Sequence, residues 1–285
     1  MIFATTRLII ILLCRIAGLA AFYLFSSRKK IAIKNISRCL FSKKNNDKII
    51  QKKCATIARK CFILQEQTLA DFLLLKFYTK QNINKFVTIK NRRNIEDALI
   101  KKRGLIISTG HFGSWELAAH VFAQKGFKSL IPYNPIKKYP SVDRWIKKKR
   151  ETGGNQLVSK NNSLIKIYKH LKNNKIVSIL VDQYCIPEQG LQVPFFGLHP
   201  WTHTSFIKLS LKTGSPIVPG FMFTNGLFSY SLEFFKPLYP EEFSHHKDPV
   251  YEMARAHNQI LETTITKSPA NWMWQHRRFK NIDFD

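Results

Sequence analysis

Apolar and polar positions divide the 285-residue chain into one long N-terminal apolar segment followed by alternating helical and strand patterns. Leu8 to Phe25 is apolar apart from Arg15. Ile49, Ile57, Cys61, Leu64, Thr68, Phe72 and Leu75 recur at helical spacing and predict a helix over 47–78. The aliphatic run Leu105 to Ile107 predicts a strand over 104–109, with helix resuming after His111. A strand at 128–132 and a helix at 140–150 follow. A polar link (Gly153, Gly154, Asn161, Asn162) leads to a helix at 163–173 and the clearest strand, 175–181, which ends at Asp182. A helix at 203–213 stops at Gly214 and Pro216, and strands 216–223 and 227–236 flank Asn225-Gly226 as a hairpin. Asp248-Pro249 supplies an N-cap and first-turn proline for a helix to Lys267. Helices alternating with buried strands imply an α/β fold, a central, mostly parallel sheet flanked by helices and carrying one antiparallel edge. No internal repeat and no long linker divides the chain, so the expected organisation is an N-terminal membrane-anchoring segment, 1–27, and one α/β domain, 28–285.

Charge changes this picture more than composition does. A hydrophobic content of 45% with 13% aromatics excludes a disordered polycation. Yet 46 Lys and Arg stand against 18 Asp and Glu, a net +28 that calls for an anionic surface or partner: nucleic acid, anionic lipid or an acidic protein. The apolar run Leu8 to Phe25 favours lipid. Its 18 residues are near the lower limit for spanning a bilayer, and Arg15 would cost about 2.5 to 3.5 kcal/mol at the centre, so a tilted anchor and an interfacial helix both stand at this point. The run ends in Phe22-Tyr-Leu-Phe-Ser-Ser27 rather than small residues, unlike a cleaved signal peptide. Residues 28–60 carry 12 Lys or Arg and only Asp47 as an acid, which by the positive-inside rule puts that side in the cytoplasm and against anionic headgroups, a solvated face being the alternative for such a run. Five cysteines, an odd number without a C-x-x-C pair, suggest neither a zinc ribbon nor a disulfide framework.

The most informative stretch is Gly104-Leu-Ile-Ile-Ser-Thr-Gly-His-Phe-Gly-Ser-Trp-Glu116, where a strand breaks into a helix between Gly110 and Gly113. Five steps along a continuous helix turn about 500°, so His111 and Glu116 meet only if His111 precedes the helix. Glu116 could then accept from one imidazole nitrogen and leave the other basic enough to take a proton from a hydroxyl. A histidine held for packing satisfies the same spacing. Asp182 also follows an apolar strand, and strand ends are where open α/β sheets gather chemistry, although a turn cap explains Asp182 equally well. His199 and His203 have a metal-ligand spacing, but no third ligand accompanies them and no metal is expected. No Ser or Cys stands in a nucleophile-elbow context, and neither Walker A nor G-x-G-x-x-G occurs, so no covalent enzyme intermediate, nucleotide or other cofactor is expected.

The block H-F-G-S-W-E after an apolar strand, with Asp182-Gln183, Val193-Pro-Phe-Phe-Gly197 and the terminal Trp274-Gln-His-Arg-Arg-Phe-Lys280, resembles the late acyltransferases of lipid A biosynthesis, within the H-x4-D/E membrane acyltransferases. The resemblance runs over nearly the whole chain. It implies that 28–285 is an acyltransferase domain, facing the cytoplasm on the bacterial inner membrane, that moves a fatty acyl chain from acyl carrier protein to a hydroxyl on a β-hydroxyacyl chain of a lipid A precursor. On that reading His111, Glu116 and Arg150 are catalytic. Gly113, Trp115, Asp182, Gln183, Arg277 and Arg278 bind substrate, and Arg150 or backbone N–H groups around Gly110 to Gly113 stabilise the oxyanion. Where the family commonly has Arg after Tyr133, this chain has Asn134. Residues 137–150 hold seven Lys or Arg against Asp143, a face suited to an acidic carrier protein, or simply to solvent. A different glycolipid or a lysophospholipid could be the acceptor instead. The rival from another class, a basic nucleic-acid-binding protein, leaves the apolar segment and the His-Glu turn without a role.

Overall fold

The computed structural model describes residues 2–41, 47–280 and 282. Three helices lead: α1 (Ile2–Leu24), α2 (Ser26–Phe41) and α3 (Lys48–Leu73). The core then alternates, through β1 (Val87–Lys90), α4 (Arg93–Ile100), β2 (Leu105–Thr109), α5 (Trp115–Gln124), β3 (Ser129–Tyr133), α6 (Pro140–Glu151), β4 (Gln156–Ser159), α7 (Ser163–Lys172) and β5 (Ile176–Leu180). A small hairpin, β6 (Gly190–Gln192) and β7 (Trp201–His203), precedes α8 (Ser205–Thr213), β8 (Ile217–Thr224), β9 (Tyr230–Phe234), α9 (Pro240–Phe243) and α10 (Pro249–Lys267).

Seven strands form one sheet in the order β1-β9-β8-β2-β5-β3-β4. β8, β2, β5, β3 and β4 run parallel, while β9 pairs antiparallel to β8 and parallel to β1. The antiparallel edge is thus two strands wide, because β1 docks outside the hairpin. The β8–β9 connection is a wider loop than a two-residue Asn-Gly turn, closed where the Asn225 amide donates to the Ser229 carbonyl. α10 begins as expected, with Asp248 accepting from the Tyr251 amide and Pro249 in the first turn.

Alternation along the strands sends Leu105 and Ile107 into a cluster with Leu117 and Val121 of α5 and Ile95 and Ala98 of α4. Ile106 and Val177 join α7, α8 and α10 through Leu171, Phe206 and Met253 on the other face. A third cluster packs α2 and α3 against Phe112, Phe195, Trp272 and Trp274. α1 lies along α3 and contributes to two of these cores. Ile11 joins the first and Phe22 the third, and the Arg15 guanidinium donates to Gln67 of α3 at 2.6 Å. α1 is therefore docked against the rest of the fold along one side. One face of it remains apolar and bare: Ile9, Leu13 and Ile16 are each at least half exposed.

Candidate active site

Parallel pairing of β2 with β5 sets Thr109 opposite Leu180, so the residues just past each strand meet at the carboxyl edge of the sheet. The His111 backbone N–H donates to Asp182 Oδ2 at 2.8 Å, and the His111 Nδ1 lies 2.9 Å from Asp182 Oδ1. Trp272 Nε1 donates to Oδ2 at 2.9 Å. A carboxylate in that cage accepts three hydrogen bonds. Burial alone would raise its pKa, but the facing His111 charge and these donors hold it down to about 2. An ionised Asp182 makes Nδ1 the protonated nitrogen of a neutral imidazole and leaves the lone pair on Nε2. Gln183 stands there, its amide nitrogen 3.2 Å from Nε2. The His111 side chain retains 18% exposure while Asp182 retains 2%, so the imidazole is accessible and its partner is not.

The expectation that Glu116 orients His111 is corrected. Glu116 lies in the first turn of α5 and is gripped by Arg150, with Nε at 3.0 Å from Oε2 and Nη2 at 2.6 Å from Oε1. This two-point pair binds α6 to α5. Arg150, expected at the oxyanion, has two nitrogens committed to Glu116. Backbone amides of the turn are committed too: His111 N to Asp182, Phe112 N to the Gly110 carbonyl, and Gly113 N to the Asn271 carbonyl at 2.7 Å. Those three amides are therefore already paired within the fold.

Gly113 itself is forced. It sits at φ +54°, and a Cβ there would stand 1.8 Å from the Met222 carbonyl oxygen. Its own carbonyl accepts from Thr68 of α3 at 2.9 Å. It shapes the turn against α3 and β8. Gly110 is needed for another reason, since a Cβ would come 2.9 Å from the Asp182 carboxyl carbon. Trp115 is half-buried with its ring 5.1 Å from the imidazole, walling the site.

The C-terminal aromatics are buried, not displayed as an interfacial belt. Phe112 bridges Trp272, and the Met273 amide donates to the His111 carbonyl at 3.1 Å, so this segment straps the catalytic turn. Arg278, expected to grip substrate, is 1% exposed. Its guanidinium donates to the carbonyls of Gln183 and Trp201 and to Thr202 Oγ1. Burial lowers its pKa to about 10, with nearby Asp182 opposing. It holds Gln183 in place and cannot reach a lipid, whereas Arg277 is exposed. His203 lies in β7, with α8 beginning only at Ser205, so His199 and His203 do not share a helix face; among the described residues no group of three or more potential ligands gathers. A second polar pair, His257 with Ser108 Oγ at 2.8 Å, is fully enclosed beneath the site and reads as packing.

An accessible imidazole held by a buried carboxylate at the carboxyl edge of an α/β sheet is the chemistry-bearing centre that this fold builds. The chain belongs to the bacterial lipid A biosynthesis acyltransferases, whose family model matches residues 2–281. It is 25% identical to the lipid A biosynthesis lauroyltransferase of Escherichia coli K12, across 92% of this chain and 82% of that protein. The palmitoleoyltransferase of the same organism is 23% identical across 93% and 83%. A lipid A biosynthesis acyltransferase of Haemophilus influenzae is 21% identical across 84% and 72%. The chain also superimposes, at 14% identity and a TM-score of 0.40, on the 1-acyl-sn-glycerophosphate acyltransferase of Thermotoga maritima, over 90% of this chain and 97% of that one.

Proposed function

We propose that the chain moves a fatty acyl group from the thioester of acyl carrier protein to the hydroxyl of a β-hydroxyacyl chain on a lipid A precursor, at the cytoplasmic face of a bacterial inner membrane. The observation that carries this reading is the His111–Asp182 pair, which leaves Nε2 as the basic nitrogen of an accessible imidazole. Nε2 takes the hydroxyl proton as the oxygen attacks the thioester carbonyl, and the resulting imidazolium is stabilised by Asp182 through Nδ1–H. Collapse of the tetrahedral oxyanion breaks the C–S bond, and the imidazolium returns its proton to the departing thiolate. An ester and a free thiol result, with no covalent enzyme intermediate. Gln183, whose backbone carbonyl accepts from Arg278 and whose side-chain amide nitrogen stands beside Nε2, is the donor best placed for the oxyanion or for the acceptor oxygen. Arg150 and Glu116 act as a pair that sets α6 against α5. Trp115 walls the acyl path and exposed Arg277 is the candidate phosphate contact.

The test is acyl transfer from acyl carrier protein to purified lipid A precursor, read by mass spectrometry. His111→Ala should abolish the added acyl mass with the thermal midpoint nearly unchanged, and full transfer by the folded variant would remove His111 as base. Unchanged lipid A in cells lacking the chain, with another glycolipid short of an acyl group or a lysophospholipid accumulating instead, would replace the acceptor while keeping the chemistry.

A further inference from the structure

We propose that α6 and the loop before it form a second lipid-contacting surface, separate from α1, that rests on an anionic bilayer beside the active-site mouth. α6 has no buried residue, and it carries on its outer face the apolar side chains a packed helix would turn inward. Ile136, Tyr139, Val142 and Trp145 are 37%, 53%, 44% and 45% exposed; Val142 and Trp145 stand on one stripe of α6, with Tyr139 at its N-cap and Ile136 in the loop before it. Lys138, Arg144 and Lys148, all exposed, flank that stripe. The helix does not stand alone: the Trp145 ring meets Phe72 edge-on at 5.7 Å, and Lys149 Nζ donates to the Leu73 carbonyl at 2.6 Å. These contacts join the stripe to Leu69 and Leu73, themselves 48% and 38% exposed on α3.

Position makes the patch more than a solvated oddity. α6 leaves the carboxyl end of β3, the edge of the sheet where β2 delivers His111, and Arg150 ties it to Glu116 next to that turn. The bare apolar face of α1 is bound to the same edge, for Arg7 stacks over Phe86 and over Phe228, in the loop that closes β8 to β9. α1, the end of α3 and α6 therefore all gather at the sheet edge that carries the imidazole. Trp and Tyr at the rim of an apolar stripe with Lys and Arg beside it is the composition of a helix lying in a headgroup layer. Charge alone would suit an acidic carrier protein, but an apolar stripe with Tyr and Trp between lysines and arginines, at the sheet edge that also holds the bare face of α1, favours anionic lipid as the occupant.

This inference rests on reading the chain as an enzyme that meets its acceptor in a membrane, but it is read out by contact and not by turnover. Full-length protein is bound to vesicles of phosphatidylethanolamine and phosphatidylglycerol, with and without lipids brominated near the headgroup, and compared with Trp145→Phe. Bromolipid should quench a component of tryptophan emission that the Trp145→Phe protein lacks, and vesicles should shield that component from acrylamide. Val142→Ser with Trp145→Ser should weaken vesicle binding at least threefold with the thermal midpoint held. Equal quenching in the parent and Trp145→Phe proteins would overturn the proposal. So would shielding of Trp145 by acyl carrier protein in solution but not by vesicles, which would make α6 the carrier's dock. Loss of transfer with normal quenching would fault the enzymatic reading and leave the lipid surface intact.

Discussion

At the residue scale, the sequence placed His111 and Asp182 at the ends of two strands but could not pair them. Which carboxylate meets an imidazole depends on which strands are neighbours, and the β2–β5 pairing is contributed by residues 71 positions apart, whereas Glu116 is only the nearest acid along the chain. Two carboxylates with different jobs should respond differently. Asp182→Asn should lower kcat about 10²- to 10⁴-fold, as expected for loss of the group that fixes a general base. Glu116→Gln keeps one acceptor for Arg150 and should cost much less, while Glu116→Ala and Arg150→Ala should be non-additive in a double-mutant cycle, because each breaks the same pair. Equal losses in Asp182→Asn and Glu116→Gln would contradict this division. Asp182 also carries a linkage. Its pKa is depressed to about 2 against an unfolded value of about 3.9, so its stabilisation is present above pH 4 and disappears as pH falls toward 2. Thermal midpoints of Asp182→Asn should accordingly fall less steeply than those of the parent across that window.

At the element scale, long periodic helices and buried parallel strands were legible, because burial on one or both faces writes itself into the residues. α2, β1, α4 and β4 were not. α2 alternates Lys and Arg with Ile too evenly to show a stripe, and β1 and β4 are four-residue strands at the sheet's edges, each with only one well-buried residue. The polar support beneath the turn was hidden for the same reason as the Asp182 contact. Asp71 of α3 is 0% exposed and accepts from Tyr78 Oη at 3.0 Å and Tyr230 Oη at 2.7 Å, linking three distant elements. Burial raises its pKa to about 6, with the two tyrosines and Arg7 opposing. For an acid with a raised folded pKa the stabilising form is the protonated one, present below about pH 4 and lost as pH rises through 6. Asp71→Asn should therefore flatten the pH dependence of stability between 4 and 6 and hold or raise the midpoint at pH 7.5. A drop at pH 7.5 in the asparagine variant would show that the charge itself is needed. Gly113→Ala tests the turn from the other side: positive φ and a collision with the Met222 carbonyl should together cost about 3 kcal/mol or more.

At the scale of the whole molecule, α1 carries two faces with opposite consequences. Sequence alone reads Leu8 to Phe25 as one apolar run broken only by Arg15; only docking reveals that Ile11 and Phe22 are spent on the protein core while Leu13 and Ile16 are left outside. The two faces can be separated by mutation. Removing 1–27 should not yield a stable soluble domain, because burial of each large side chain contributes about 1.5 to 3 kcal/mol and the Arg15–Gln67 contact would be lost with them. Ile11→Ala should thus lower the thermal midpoint. Leu13→Ser with Ile16→Ser should leave the midpoint within about a degree or two, surface changes of this kind being worth about 0.5 kcal/mol or less, yet shift protein from the membrane pellet to a fraction released by salt. What remains bound would be held by lysines and arginines, whose attraction to lipid is screened over about 8 Å at physiological ionic strength. A Leu13→Ser, Ile16→Ser protein that stays on membranes at high salt would mean that the exposed face of α1 is not what anchors the chain, and would move that role to α6.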